Sequence, residues 1–253
     1  MGGLSLLFIA LTALISIGFP IVMIIYFKRH YNASLSYLVV GALVFTIFQL
    51  FIRIPLLNWL GGQFWFYTYI VQNEKLYIVM LALTAGLFEE IGRYVAFKFL
   101  LVDKREWENG VIFGIGHGGV ESIILVGVNY LAFIFISLHL NFGLFENIVG
   151  LLPNIDTVTL LLQETPPALY LLAGMERLFT IIIHIGLSLL VLGSIRVGKV
   201  TGLIIAIGLH TLLNVSILLI SSNIWIVEGI IGIGAIFSII YIHRKKSLWK
   251  FVI

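Results

Sequence analysis

The stretch 76–99, "LYIVMLALTAGLFEEIGRYVAFKF", decides how the chain is read. About 20 apolar residues rising 1.5 Å each cross the hydrocarbon core of a bilayer, and by that measure this is a membrane-spanning helix. Yet Glu89, Glu90 and Arg93 interrupt it. A charge at a helix centre costs about 2.5–3.5 kcal/mol on insertion scales, so three of them within a turn and a half need partners or a function. Arg93 follows Glu89 by four residues and Glu90 by three, so either acid can reach it along one helix face.

The surrounding chain supports the spanning reading. Of 253 residues, 60% are hydrophobic and 11% charged, against roughly 25% charged in soluble domains. The runs are too long for the short alternating strands of a membrane barrel. The expected fold is an all-α, polytopic membrane bundle of about seven helices: 4–27, 34–59, 76–99, 110–138, 170–195, 200–220 and 224–242. Pro20 and Pro55 are expected to kink their helices. Lys28, Arg29, Lys98, Lys104, Arg105, Arg196, Lys199, Arg244, Lys245, Lys246 and Lys250 all fall on one side of this arrangement. The segment 140–169 has no basic residue and carries Glu146, Asp156 and Glu164. The positive-inside rule then puts the N-terminus out and the C-terminus in. The first run lacks a basic leader and a small-residue cleavage pattern, so it is expected to be a retained helix. The net charge of +3 comes with bases in membrane-flanking loops and does not point to nucleic acid. The expectation is one integral-membrane domain, 1–253, in a bacterial cell membrane, with 76–220 as its core bundle.

Polar residues recur at depth in the later spans. "FGIGHGGVES" sets His117 and Glu121 four residues apart, "TIIIHIGLS" does the same for His184 and Ser188, and "LHTLLN" for His210 and Asn214. Each pair shares a face of its helix. Counting from the nearest boundary charge, Glu89 and His117 lie about 14 Å deep, His184 about 18 Å and His210 about 17 Å. Four groups on four helices thus occupy one layer, and lipid is a costly place for any of them to point. Gly114, Gly116, Gly118 and Gly119 around His117 permit close helix approach. Arg53 and Arg177 lie nearer the outer ends and are expected to snorkel, with Glu176 a partner for one of them. Glu228 is expected at the interface.

The composition removes several chemistries. Without cysteine there is no thiolate metal site or cysteine nucleophile. Asp103 and Asp156 are both in loops, so an intramembrane aspartyl pair is absent. No H-E-x-x-H or G-x-S-x-G motif occurs. What remains is carboxylate plus imidazole acting on water, with further imidazole and amide donors for an oxyanion.

The ordered set "EEIGR", Phe113 with His117, and His210 with Asn214 resembles the glutamic-type intramembrane proteases related to type II CAAX prenyl proteases and bacteriocin-processing enzymes. It is more closely similar to the YhfC family of intramembrane proteases, in which EExxR, HGGxE, a further membrane histidine and HxxxN recur. The resemblance covers roughly residues 80–220. It implies Glu89 as general base, His117 sharing the activated water, His210 and Asn214 holding the oxyanion, and Glu90 and Arg93 orienting the site. Two residues rather than three separate the glutamates from Arg93, which leaves Glu90 open as the base. Glu121 and His184 have no counterpart in the prenyl protease pattern. They allow a bound Zn²⁺, with His117, His184, His210 and Glu89 as candidate ligands, whereas the glutamic reading requires no cofactor. The expected substrate is a membrane-embedded or membrane-proximal peptide. The rival reading is a binding or transport module, a substrate-capture subunit or proton-coupled carrier, that uses the same buried cluster.

Overall fold

The apolar runs become helices whose ends are set by a few identifiable residues. In the computed structural model, which describes residues 2–147, 154–220 and 222–249, every regular element is helical. These are α1 (Gly3–Tyr31), α2 (Leu35–Gly61), α3 (64–71), α4 (74–100), α5 (Trp107–Asn141), α6 (Ile155–Glu164), α7 (Pro167–Arg196), α8 (Thr201–Leu219) and α9 (Ile224–Leu248). Asn73 and Asn223 cap α4 and α9, accepting from the Leu76 and Ile226 N–H groups at 3.2 and 3.3 Å. Asn32, in the left-handed region at φ 50°, ends α1. Pro20 lies inside α1. Pro55 follows a run of wide turns in α2, Thr46–Arg53, where Ile54 N–H donates to the Gln49 carbonyl five residues back.

Helix α7 is the centre of the bundle. In its most apolar 18-residue window 61% is buried, against 17–28% in the other apolar helices. It packs on α1, α5, α8 and α9, while α2 packs on α5 and α4 on α8. Glycines on α5 set the closest approaches. A β-carbon at Gly116 would overlap the Leu38 carbonyl on α2, and one at Gly114 would come within 2.5 Å of the Ile185 Cα on α7. The close helix packing expected around His117 is therefore present. Facing outward are apolar side chains such as Leu14, Phe51, Ile204 and Phe237, as lipid contact requires.

The basic ends of the helices meet at one end of the bundle. Lys246 donates to Tyr31 Oη at 2.8 Å, Trp107 Nε1 to the Ile242 carbonyl at 3.1 Å, and Trp249 Nε1 to the Arg105 carbonyl at 2.9 Å. Arg196 Nη1 reaches the Trp249 carbonyl at 3.1 Å, and Arg105 Nη2 the Phe97 carbonyl at 2.9 Å. These contacts gather the C-terminal ends of α1, α4, α7 and α9 with the start of α5. Lys250 and residues 148–153 of the acidic segment lie outside the described residues.

Among the described residues six helices are long and apolar enough to cross a membrane, where seven were expected. The difference is α4, the expected span 76–99. It is a continuous helix within the bundle, but Glu89, Glu90 and Arg93 take it out of the purely apolar class.

Candidate functional site

Glu89 and Glu90 are consecutive on α4, so they leave the helix about 100° apart and meet different partners. Glu89 Oε2 lies 3.0 Å from His117 Nε2 on α5. Arg93 Nη1 donates to both oxygens of Glu90 at 2.5 Å. His210 Nδ1, on α8, lies 2.9 Å from Glu90 Oε1. A carboxylate that accepts from a guanidinium is ionised, so His210 donates through Nδ1 and keeps its lone pair on Nε2 in the neutral ring. That nitrogen is 3.9 Å from Glu89 Oε2.

His184 on α7 joins the two halves. Arg93 Nη2 is 3.2 Å from its Nδ1. A guanidinium has no lone pair, so Arg93 donates and Nδ1 accepts. On the other side, Glu121 Oε2 stands 2.7 Å from His184 Nε2. With Nδ1 accepting, Nε2 is the nitrogen that carries the ring proton, and it makes a close buried contact with this carboxylate. Glu121 Oε1 is held by Arg177 Nη1 at 3.3 Å, and Arg177 also pairs with Glu176. The His117 and His184 rings are 4.9 Å apart, and those of His184 and His210 are 5.6 Å apart. Glu90, Arg93 and His117 are fully buried, and Glu89, His184 and His210 nearly so.

The shared depth inferred from helix counting is thus matched by rotation: residues from α4, α5, α7 and α8 face one another. A cavity of about 480 Å³ opens beside them, lined by Glu89, Glu121, His184, His210 and Asn214, with Gln49, Arg53, Glu176 and Arg177 farther along. Asn214 enters as a lining residue one helical turn from His210. Glu90, Arg93 and His117 do not line the cavity; His117 sits behind Glu89 and His184.

Two arginines depart from the sequence expectation. Arg53 and Arg177 do not snorkel to the membrane surface; they are 8% and 9% exposed and turn inward. The cavity wall offers carbonyl, hydroxyl and carboxylate partners closer than the interface does. Glu176 pairs with Arg177 as expected. Glu228, expected at the interface, has both carboxylate oxygens buried and without hydrogen bonds. Sequence reasoning missed Gln49 and Thr84 as neighbours of the site. The four-residue spacing of Gln49 and Arg53 was the available signal.

One donor atom from each of Glu89, His117, Glu121 and His184 lies within 4.8 Å of all the others. Two imidazoles and two carboxylates form a donor set suited to Zn²⁺. His184 Nε2 and the buried Glu121 Oε2, 2.7 Å apart, are placed as neighbouring ligands of one ion would be once Nε2 has given up its proton. The residues therefore fit a metal ion. The sequence profile described as YhfC intramembrane metalloprotease matches residues 12–233. The chain belongs to the YhfC family. It is 34% identical over 266 residues to the membrane protein YhfC of Bacillus subtilis (strain 168), across 97% of this chain and 98% of that relative. No solved structure matches the chain. With its bundle of apolar helices, this YhfC member is a multi-pass integral membrane protein in contact with the bilayer. Of the two hydrolytic readings, the family description carries the metal-assisted one and gives no support to the glutamic type.

Proposed function

We propose that this chain is an intramembrane endopeptidase that hydrolyses a peptide bond in the cavity between α4, α5, α7 and α8. The observation that carries the proposal is the buried group Glu89, His117, Glu121 and His184, in a chain whose family is described as metalloprotease. Catalytic zinc takes three protein ligands and leaves a fourth position open. His117, His184 and Glu121 would hold it, with Arg177 fixing the Glu121 carboxylate. When bound, the ion supplies a Lewis acid that polarises a carbonyl and makes water easier to deprotonate.

The remaining roles belong to the chain's own groups. Glu89 is the carboxylate facing the cavity, and its Oε2 takes the proton of the attacking water. Glu90 is already committed to Arg93 and His210, so of the two glutamates it positions and Glu89 reacts. Glu90 aims His210 Nε2 toward Glu89, where a proton gained at Nε2 is stabilised by the carboxylate behind the ring. Asn214 donates its amide to the developing oxyanion. To offer Nε2 to the ion, His184 would carry its ring proton on Nδ1, so Arg93 would give up its contact there and keep Glu90. The proposed catalytic unit is 76–220 within a single domain 1–253. The substrate is a peptide segment that reaches the cavity from the membrane.

The experiment is cleavage of apolar peptides by the purified protein in proteoliposomes. Chelation is expected to stop cleavage and added Zn²⁺ to restore it. His117→Ala is expected to bind no zinc and cut nothing. Uptake of peptide or metal into vesicles with no cleavage would replace this reading with the transport one.

A further inference from the structure

The far end of the same cavity carries a feature that hydrolysis does not use. Arg53 on α2 is 8% exposed and lines the cavity. Its Nε donates to Thr84 Oγ1 at 3.0 Å and its Nη2 to the Leu81 carbonyl at 2.6 Å, both on α4. Among the described residues its Nη1 makes no hydrogen bond and Arg53 has no carboxylate within ion-pair distance. Arg177, which lines the same cavity, is by contrast neutralised by Glu121 and Glu176. Gln49, one turn before Arg53, also lines the cavity; its Oε1 is buried without a partner, and its Nε2 is the atom that can donate to an anion. Both belong to the wide-turn segment Thr46–Arg53. Such turns change the angle between successive side chains and are concentrated at functional sites.

A buried guanidinium at membrane depth whose countercharge, Glu89, acts only through space and without contact is costly unless something it binds supplies a closer one. Two of its nitrogens are fixed to α4, so the group is preorganised, with a free N–H edge. That edge matches a carboxylate, the anion that arginine grips with paired hydrogen bonds.

We propose that Arg53, with Gln49 beside it, is a carboxylate-binding subsite that selects peptides carrying an anionic group at a set distance from the bond to be cut. The proposal rests on the peptidase reading above and names its substrate class. Leu81 and Thr84 precede Glu89 on α4 by eight and five residues, or roughly 8–12 Å along the axis. An extended peptide covers that distance in about two to four residues. The substrate is therefore cut about two to four residues from a carboxylate, either its own C-terminus or an Asp or Glu side chain.

The test uses three fluorescent apolar octapeptides that differ only at the end: a free C-terminal acid, a C-terminal amide, and an amide with glutamate as the last residue. Binding to the purified full chain in detergent is read by anisotropy, and cut positions by mass spectrometry. At least one carboxylate peptide is expected to bind about tenfold to a hundredfold more tightly than the plain amide. Whichever does so identifies the source of the carboxylate. Arg53→Gln is expected to erase that preference and leave the amide's affinity unchanged. Should Arg53→Gln lose its fold with its two anchors, Gln49→Leu, which breaks neither, is expected to weaken the preference. The wild-type comparison needs no variant at all. Equal binding of the three peptides by the wild type, no binding of any, or a preference that survives Arg53→Gln in a folded protein overturns the subsite. Binding is read without turnover, so the two readings fail separately. A carboxylate preference with no cleavage sinks the peptidase and keeps the subsite, whereas cleavage without the preference does the reverse.

Discussion

Two cavities of similar size share a wall and differ in everything else. The polar cavity, about 480 Å³, is lined by Glu89 on α4, Glu121 on α5, Glu176, Arg177 and His184 on α7 and His210 on α8, with Arg53 of α2. The groove between α7, α8 and α9 is larger, about 610 Å³, and is lined almost wholly by Leu, Ile, Phe and Gly, with Ser216, Ser238 and Tyr241 as its polar residues. Ile183, Leu187 and Leu213 belong to both. In membrane, an apolar hollow needs nothing beyond lipid tails to fill it. A polar hollow requires every charge to be paired or used. The contrast separates the two spaces better than volume does, because the larger one is lined by no carboxylate, imidazole or guanidinium.

This difference is broken most severely by removing the charge network. Glu90→Gln leaves Arg93 buried opposite a neutral amide, and losing one partner of a buried pair costs about 3–5 kcal/mol. A lowered thermal midpoint together with lost cleavage is expected, because His210 loses its orientation too. A variant as stable and active as the wild type would show that Glu90 is dispensable. Next in size is backbone packing. Gly116→Leu drives a side chain into the Leu38 carbonyl and is expected to cost about 1–3 kcal/mol in unfolding measurements. Gly208, whose β-carbon would meet nothing within 4 Å, is the control. Gly208→Ala is expected to gain about 0.5–1 kcal/mol from helix propensity. Smallest is the groove side: Leu212→Ala, at a side chain 62% exposed to lipid, is expected to change stability by less than about 0.5 kcal/mol and leave cleavage intact. A large loss of cleavage there would give the apolar groove a role in the reaction.

Much of this contrast was legible in the sequence. Boundary charges and the four-residue pairs put Glu89, His117, His184 and His210 in one layer, and all four meet in the structure. Helix counting gives depth but not rotation, so the choice of partners was not legible. His210 goes to Glu90, while Glu121 joins His184 across two helices in the group with metal-ligand spacing. Arg53 and Arg177 were expected to snorkel because a span end lies near a water interface. The polar wall that holds them inside is built from α4 and α5, far away in the chain. The wide turns of Thr46–Arg53 shift the helical phase locally, which a 3.6-residue period does not register.

The division of labour between Glu89 and the three proposed ligands is tested most directly by measuring bound zinc and peptide cleavage on the same preparations of wild type and Glu89→Gln. Zinc bound one to one in both proteins, with cleavage by the wild type alone, is the expected result. A wild type that cuts peptides while free of zinc, or a Glu89→Gln protein that cuts as fast as the wild type, would contradict it.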